Sequence, residues 1–154
     1  MENNETDVTR RHLFVAGGLG LVAAAMPAAA QAAEMGETEK ANVKLVQDFI
    51  KAWADDPVDP VKLGSFMAED CSVKLVDNKP PAIGREAAIA LFKSYLTKGQ
   101  RYDMRVQETF ARGPVVVNTR IDGAIGAKPH DSVGLFYIKD GKIKEWNDYY
   151  PPRK

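Results

Sequence analysis

Near residue 100 this chain changes its hydrophobic period, and that change limits the folds open to it. Before that point, apolar residues recur at helical spacing. Val43, Val46, Phe49, Ile50 and Trp53 mark one helix over residues 38–54, and Ile89, Phe92, Tyr95 and Leu96 mark another over 85–98, with Gly99 as its stop. Asp59-Pro60 supplies an N-cap followed by proline at the first helical position, opening a short helix through Phe66 or Met67. Residues 72–76 read as a strand closed by the turn-rich run Asp77-Asn78-Lys79-Pro80-Pro81. After residue 101 everything reads as strand: 102–111, 115–125, 130–139 and 142–150, with breaks at Arg112-Gly113-Pro114, Gly126 to Pro129 and Lys139-Asp140-Gly141. Helices followed by an antiparallel meander predict an α+β domain, with helices on one face of a curved sheet that curls around a pocket.

The first thirty-odd residues read as an address rather than as part of that domain. Arg10-Arg11 precedes an apolar Ala/Gly-rich run to about Ala30, and Ala30-Gln31-Ala32 offers small residues at a cleavage point. Paired arginines predict a twin-arginine signal over residues 1–32, a periplasmic product, and no stable membrane anchoring after cleavage. Residues 33–154 then form one domain. Of 21 basic and 21 acidic residues, the signal takes two arginines (Arg10 and Arg11) and three acids (Glu2, Glu5 and Asp7), leaving 19 and 18. That balance leaves no basic stripe for nucleic acid. A single cysteine, Cys71, excludes an internal disulfide and multi-cysteine metal sites, and its expected place is the core.

Period-two arithmetic picks out the chemistry. Asn118, Arg120, Asp122 and Ala124 share one face of their strand; His130, Ser132, Gly134 and Phe136 share a face of the next; Trp146, Asp148 and Tyr150 share one of the last. If those faces turn inward, Arg120, Asp122, Asp148, His130, Ser132 and Tyr150 meet in one pocket. If they turn outward, they form a solvated side of an antiparallel sheet. Two carboxylates flanking a guanidinium suit a site that needs one protonated acid and one ionised base. His130 beside them would also suit proton abstraction.

From about Lys40 to Tyr150 the chain resembles the limonene-1,2-epoxide hydrolase branch of the SnoaL/NTF2-like superfamily. The resemblance runs through LVQDFIKAW, FMAEDC, PPAIGREAA, ETF, TRID and GKIKEWNDYY. It implies an NTF2-like curved, antiparallel or mixed sheet with about three helices around a pocket. It also implies a one-step hydrolysis of an epoxide with neither cofactor nor metal, a small apolar or aromatic substrate, and a homodimer. Matched to the family's motif, Asp122 is the acid, Asp148 the base that takes a proton from water, and Arg120 the bridge. Val73 and Leu75 stand where that family holds its water with a Tyr and an Asn, so here they line the substrate pocket, with Asp77 or Asn78 as other candidates for the water. Ser132 and His130 replace aliphatic residues, and Ser132 and Tyr150 are the polar candidates for substrate contact. Two other functions remain open: an isomerase, cyclase or lyase using His130 or Asp148 as base, and a non-catalytic periplasmic module for a small ligand.

Overall fold

The structure, a computed structural model, describes residues 35–76, 78–96 and 101–151. The expected export signal, Asp77 and Gly99 lie outside the described residues. Three helices pack on one face of a six-stranded mixed sheet. The helices are α1 (Glu37–Ala52), α2 (Pro60–Ser65) and α3 (Arg85–Tyr95), and the strands are β1 (Met67–Lys74), β2 (Ala82–Ile83), β3 (Tyr102–Arg112), β4 (Val115–Ala124), β5 (His130–Lys139) and β6 (Lys142–Tyr149). The strand order is β2-β1-β6-β5-β4-β3. The meander β3 to β6 is antiparallel, as expected, and β1 closes against β6 in parallel. Among the described residues no helix is long and apolar enough to cross a membrane.

Local chemistry accounts for most of the boundaries. The Asp59 side chain accepts the Val61 N–H at 2.8 Å and caps α2, with Pro60 at its start. The Glu39 carboxylate accepts the Gly36 N–H at 2.6 Å and the Gly113 N–H at 2.9 Å, while the Asn42 amide donates to the Gly113 carbonyl at 3.0 Å. Those bonds tie the β3–β4 turn to the first turns of α1. The two-residue β2, which pairs with β1, was not expected from sequence, and two boundaries differ from that reading by more than two residues. Strand β1 begins at Met67, five residues before the expected 72, because it gains a parallel partner in β6, a long-range pairing invisible to local periodicity. Helix α3 ends at Tyr95, where the Leu96 N–H is shared between the Phe92 and Lys93 carbonyls and tightens the last turn.

The core lies between α1, α3 and the inner face of the sheet. Phe49, Trp53, Phe92, Phe136 and Trp146 form its aromatic centre; Phe49 meets Trp146 edge-on at 4.9 Å, and Phe136 stacks on Trp146 at 5.7 Å. Cys71 is buried in this core, the role expected of it. Trp146 occupies the border between the apolar centre and the polar end of the same sheet face.

Candidate active site

Sheet register brings the polar residues together. Across β4, β5 and β6, Asn118 pairs with Gly134, which pairs with Asp148; Arg120 pairs with Ser132, and Asp122 with His130. The inner face therefore presents Asn118, Arg120, Asp122, Ser132 and Asp148 within three neighbouring rows. All five are buried, none more than 4% exposed, so the solvated-face alternative fails: this side of the sheet is covered by helices.

Burying that much charge requires dense pairing. One nitrogen of Arg120, Nη2, donates to Asp122 Oδ2 at 2.9 Å and to Asp148 Oδ2 at 2.8 Å. Nε donates to both oxygens of Asp122 at 3.2 Å, and Nη1 to Asn118 Oδ1 at 2.7 Å. The Ser132 hydroxyl meets Asp122 Oδ2 at 2.5 Å. On the other carboxylate, the Trp146 indole N–H donates to Asp148 Oδ1 at 2.6 Å and the Tyr150 hydroxyl to Oδ2 at 3.4 Å. Every polar atom of the guanidinium faces an acceptor.

Gly134 makes this geometry possible. Arg120 sits on β4 and Asp148 on β6, so the guanidinium must cross β5, and it does so directly over Gly134. A Cβ there would collide with Arg120 Nη1 and would lie 2.8 Å from Asn118 Oδ1 and 2.7 Å from the Phe136 ring. A lone glycine inside an apolar strand signals such close backbone approach, but that the approaching group is Arg120, held by Asn118, is set by the register. Trp146 both fills the core and hydrogen-bonds the second carboxylate.

The electrostatics follow from burial against pairing. Burial pushes the Asp148 carboxyl above its ordinary range; the Arg120 charge and the hydrogen bonds from Arg120 and Trp146 pull it back in part, and the Asp122 charge adds to the rise. Burial works against the Arg120 cation, but Asp148 and Asp122 outweigh it, and its pKa is raised. The Tyr150 phenol is driven far up, first by burial and then by the Asp148 charge, so it stays protonated. Tyr95, at the end of α3, is raised by burial and by the same Asp148 charge.

The remaining sequence candidates fall at different depths. Val73, on β1 opposite Trp146, is fully buried, and Leu75, just past the end of β1, nearly so. Ser132 is spent on Asp122 rather than lining open space. His130 does not join the triad. It is exposed at the start of β5, its ring 5.2 Å from that of Tyr150, because the turn before it lifts the strand end out to solvent. Tyr150, 37% exposed, spans the distance between that rim and Asp148. Clefts of about 200 and 250 Å³ lie on the outer face of the sheet and beside the β4–β5 turn, away from the triad. The triad's end of the inner face approaches solvent at Tyr150 and His130, which stand exposed beside each other.

A six-stranded mixed sheet under three helices, with a buried polar cluster on its inner face, defines an NTF2-like α+β protein. Within that class the chain belongs to the limonene-1,2-epoxide hydrolase catalytic domain family, whose model matches residues 40–152. Similar solved structures include an LEH-like epoxide hydrolase from M. tuberculosis, 19% identical, with a TM-score of 0.62 over 73% of this chain and 84% of that one. A proposed ketosteroid isomerase from Kribbella flavida is 15% identical, with a TM-score of 0.64 over 75% of this chain and 82% of its own. An NTF2-like protein of unknown function from Cytophaga hutchinsonii is 19% identical, with a TM-score of 0.59 over 73% and 91%. At these identities the likeness is one of fold. No curated protein matches the sequence significantly.

Proposed function

We propose that this protein is a cofactor-independent hydrolase that opens a small apolar or aromatic epoxide with water. The observation that carries the reading is the single Arg120 nitrogen shared by Asp122 and Asp148 in a buried site. Two buried carboxylates on one cation carry an unbalanced negative charge when both are ionised, so the reading gives one of them the proton that an acid step needs. Asp148 has one oxygen on the Trp146 N–H and the other on Arg120 Nη2, donors that favour its ionised form. Asp122 Oδ1 takes only the longer Arg120 Nε contact, which leaves room there for the proton. In the reaction, water attacks a ring carbon and gives a proton to Asp148; the carbon–oxygen bond breaks, and the oxygen takes the proton of Asp122, giving a diol. Burial makes Asp148 a stronger base than a solvated carboxylate, which suits general-base work. Turnover of an epoxide panel, abolished by Asp148→Asn, is the expected result; an inert wild-type protein would refute the reading.

One observation favours a second reading, proton abstraction from a carbon acid as in an isomerase, cyclase or lyase. On the strand paired with β6, Val73 lies opposite Trp146 with Leu75 just past the strand's end, buried apolar residues that suit a dry base, and the protonated Tyr150 phenol would serve as oxyanion donor. Deuterium exchange into enolisable carbonyl compounds, lost in Asp148→Asn while epoxides stay inert, would select it. Export by the twin-arginine route to the periplasm is proposed from Arg10-Arg11 and the apolar run after it. Replacing both arginines with lysine should retain the protein in the cytoplasm.

A further inference from the structure

We infer that Ser132 is a positioning residue: its hydroxyl, bound to Asp122 Oδ2, sets the acid's proton on Oδ1 and stabilises the carboxylate left when that proton is given up. The inference rests on the hydrolase reading and concerns how its acid is made ready. The two oxygens of Asp122 are unequally served. Oδ2 accepts the Ser132 hydroxyl at 2.5 Å, Arg120 Nη2 at 2.9 Å and Arg120 Nε at 3.2 Å, whereas Oδ1 accepts only Nε, at 3.2 Å. An oxygen that already takes three donors is the poorer place for a proton, so a protonated Asp122 carries its hydrogen on Oδ1. The serine contact has the length of a hydroxyl donating to a charged oxygen, roughly 2.5–2.7 Å. Arg120 Nη2 cannot set the two carboxylates apart, because Asp148 takes it as well, at 2.8 Å. Ser132 serves Asp122 as the Trp146 indole serves Asp148, one private donor to each. Register supplies the position: Ser132 stands opposite Arg120 on β5, two residues from His130, the partner of Asp122, and it is buried. In ring opening the Oδ1 proton passes to the epoxide oxygen as the carbon–oxygen bond breaks, and the electron pair of the O–H bond stays on Asp122. The charge spreads over both carboxylate oxygens. Ser132 keeps its own proton and bonds Oδ2 more strongly as that charge develops, so it favours the transition state over the ground state.

The charged and titratable groups around Asp122 are Arg120 on its own strand, His130 opposite it on β5, and Asp148 and Tyr150 from the end of β6; its partner on β3, Met104, carries no charge. Ser132→Ala removes one oxygen and takes no atom from the Arg120 bonds. Turnover of a simple aliphatic epoxide should fall roughly 10-fold in kcat with KM changed by less than about threefold, and Ser132→Cys, a weaker donor, should fall between. The basic limb of kcat/KM should move to higher pH by roughly one unit, because the ionised acid has lost a hydrogen bond. A trifluoromethyl epoxide, whose oxygen leaves with less help from an acid, should lose less than about threefold. A merely structural serine would slow both substrates alike and leave the limb in place. In an active wild type, an unchanged kcat in Ser132→Ala, equal losses on the two epoxides, or a basic limb moved to lower pH overturns the role of Ser132 alone; the last would make the hydroxyl an acceptor of the acid's proton. A wild type inert toward epoxides overturns it together with the hydrolase reading.

Discussion

Replacing Gly134 with alanine is the most direct test of how this site is assembled. The new Cβ would lie 2.8 Å from Asn118 Oδ1 and 2.7 Å from the Phe136 ring, each more than 0.5 Å inside the 3.4 Å of ordinary contact, and closer still to Arg120 Nη1. Arg120 can yield only by giving up the 2.7 Å bond to Asn118 or by drawing Nη2 away from Asp148. Neither atom is a free chain end, because the guanidinium is fully buried and paired on every side. Overpacking of this kind costs about 1–3 kcal/mol, and losing a charge-assisted buried hydrogen bond costs about 1.5–3 kcal/mol. Together, a destabilisation of roughly 3 kcal/mol is expected, which for a domain of this size lowers Tm by roughly 10 °C. Where the protein turns over substrate, a displacement near 1 Å at the acid–base pair should cost about 100-fold. Thermal melts need no substrate, so they come first. A double-mutant cycle sharpens the test: in an Asn118→Ala background one clash is gone, and the penalty of Gly134→Ala should shrink by about 1 kcal/mol. A Gly134→Ala protein with wild-type Tm, or a penalty identical in both backgrounds, would refute the claim that the guanidinium crosses β5 over a missing side chain.

Other expectations follow from charge and exposure. Because folding raises the Asp148 pKa, its contribution to stability is fully present below the unfolded value of about 3.9 and is lost as pH rises through the raised folded value. The Tm of Asp148→Asn relative to wild type should therefore climb with pH across that window; a flat difference would contradict the burial cost. His130→Ala should leave epoxide turnover within about threefold, since His130 sits exposed at the rim, whereas loss of all activity would reinstate it as the base. We also propose that the outer sheet face binds a second copy of this chain. Phe110, Val133, Tyr137 and Tyr149 stand exposed there, and one cross-strand row carries Arg112 on β3 and Glu145 on β6. A copy turned about a dyad parallel to the strands would set each Arg112 over the partner's Glu145. Sedimentation should show a dimer that Tyr137→Lys dissociates, and a wild-type monomer would sink the proposal.

Sequence alone determined the three helices, five of the six strands and the face each long-strand side chain takes; the two-residue β2 was not expected. The change from helical to alternating period placed three helices before a four-stranded meander, and Asp59-Pro60 fixed the start of α2, because capping and period are local properties of the backbone. Spacing put Arg120, Asp122 and Asp148 on facing sides of their strands. Tertiary structure alone decided that this face is buried, since alternation reads the same whether helices or water cover the sheet. It also decided the early start of β1, which depends on β6 some seventy residues away. The largest correction concerns His130. Alternation placed it with the triad, but it lies at the strand's first residue, where the sheet runs out and the side chain meets solvent. Conversely, Gly134, Asn118 and Trp146 acquired their roles only when register set them beside the guanidinium and the second carboxylate. Local periodicity can assign a residue to a face, but the distance between an Arg on β4 and an Asp on β6 depends on what lies on β5, and there the chain has placed nothing larger than hydrogen.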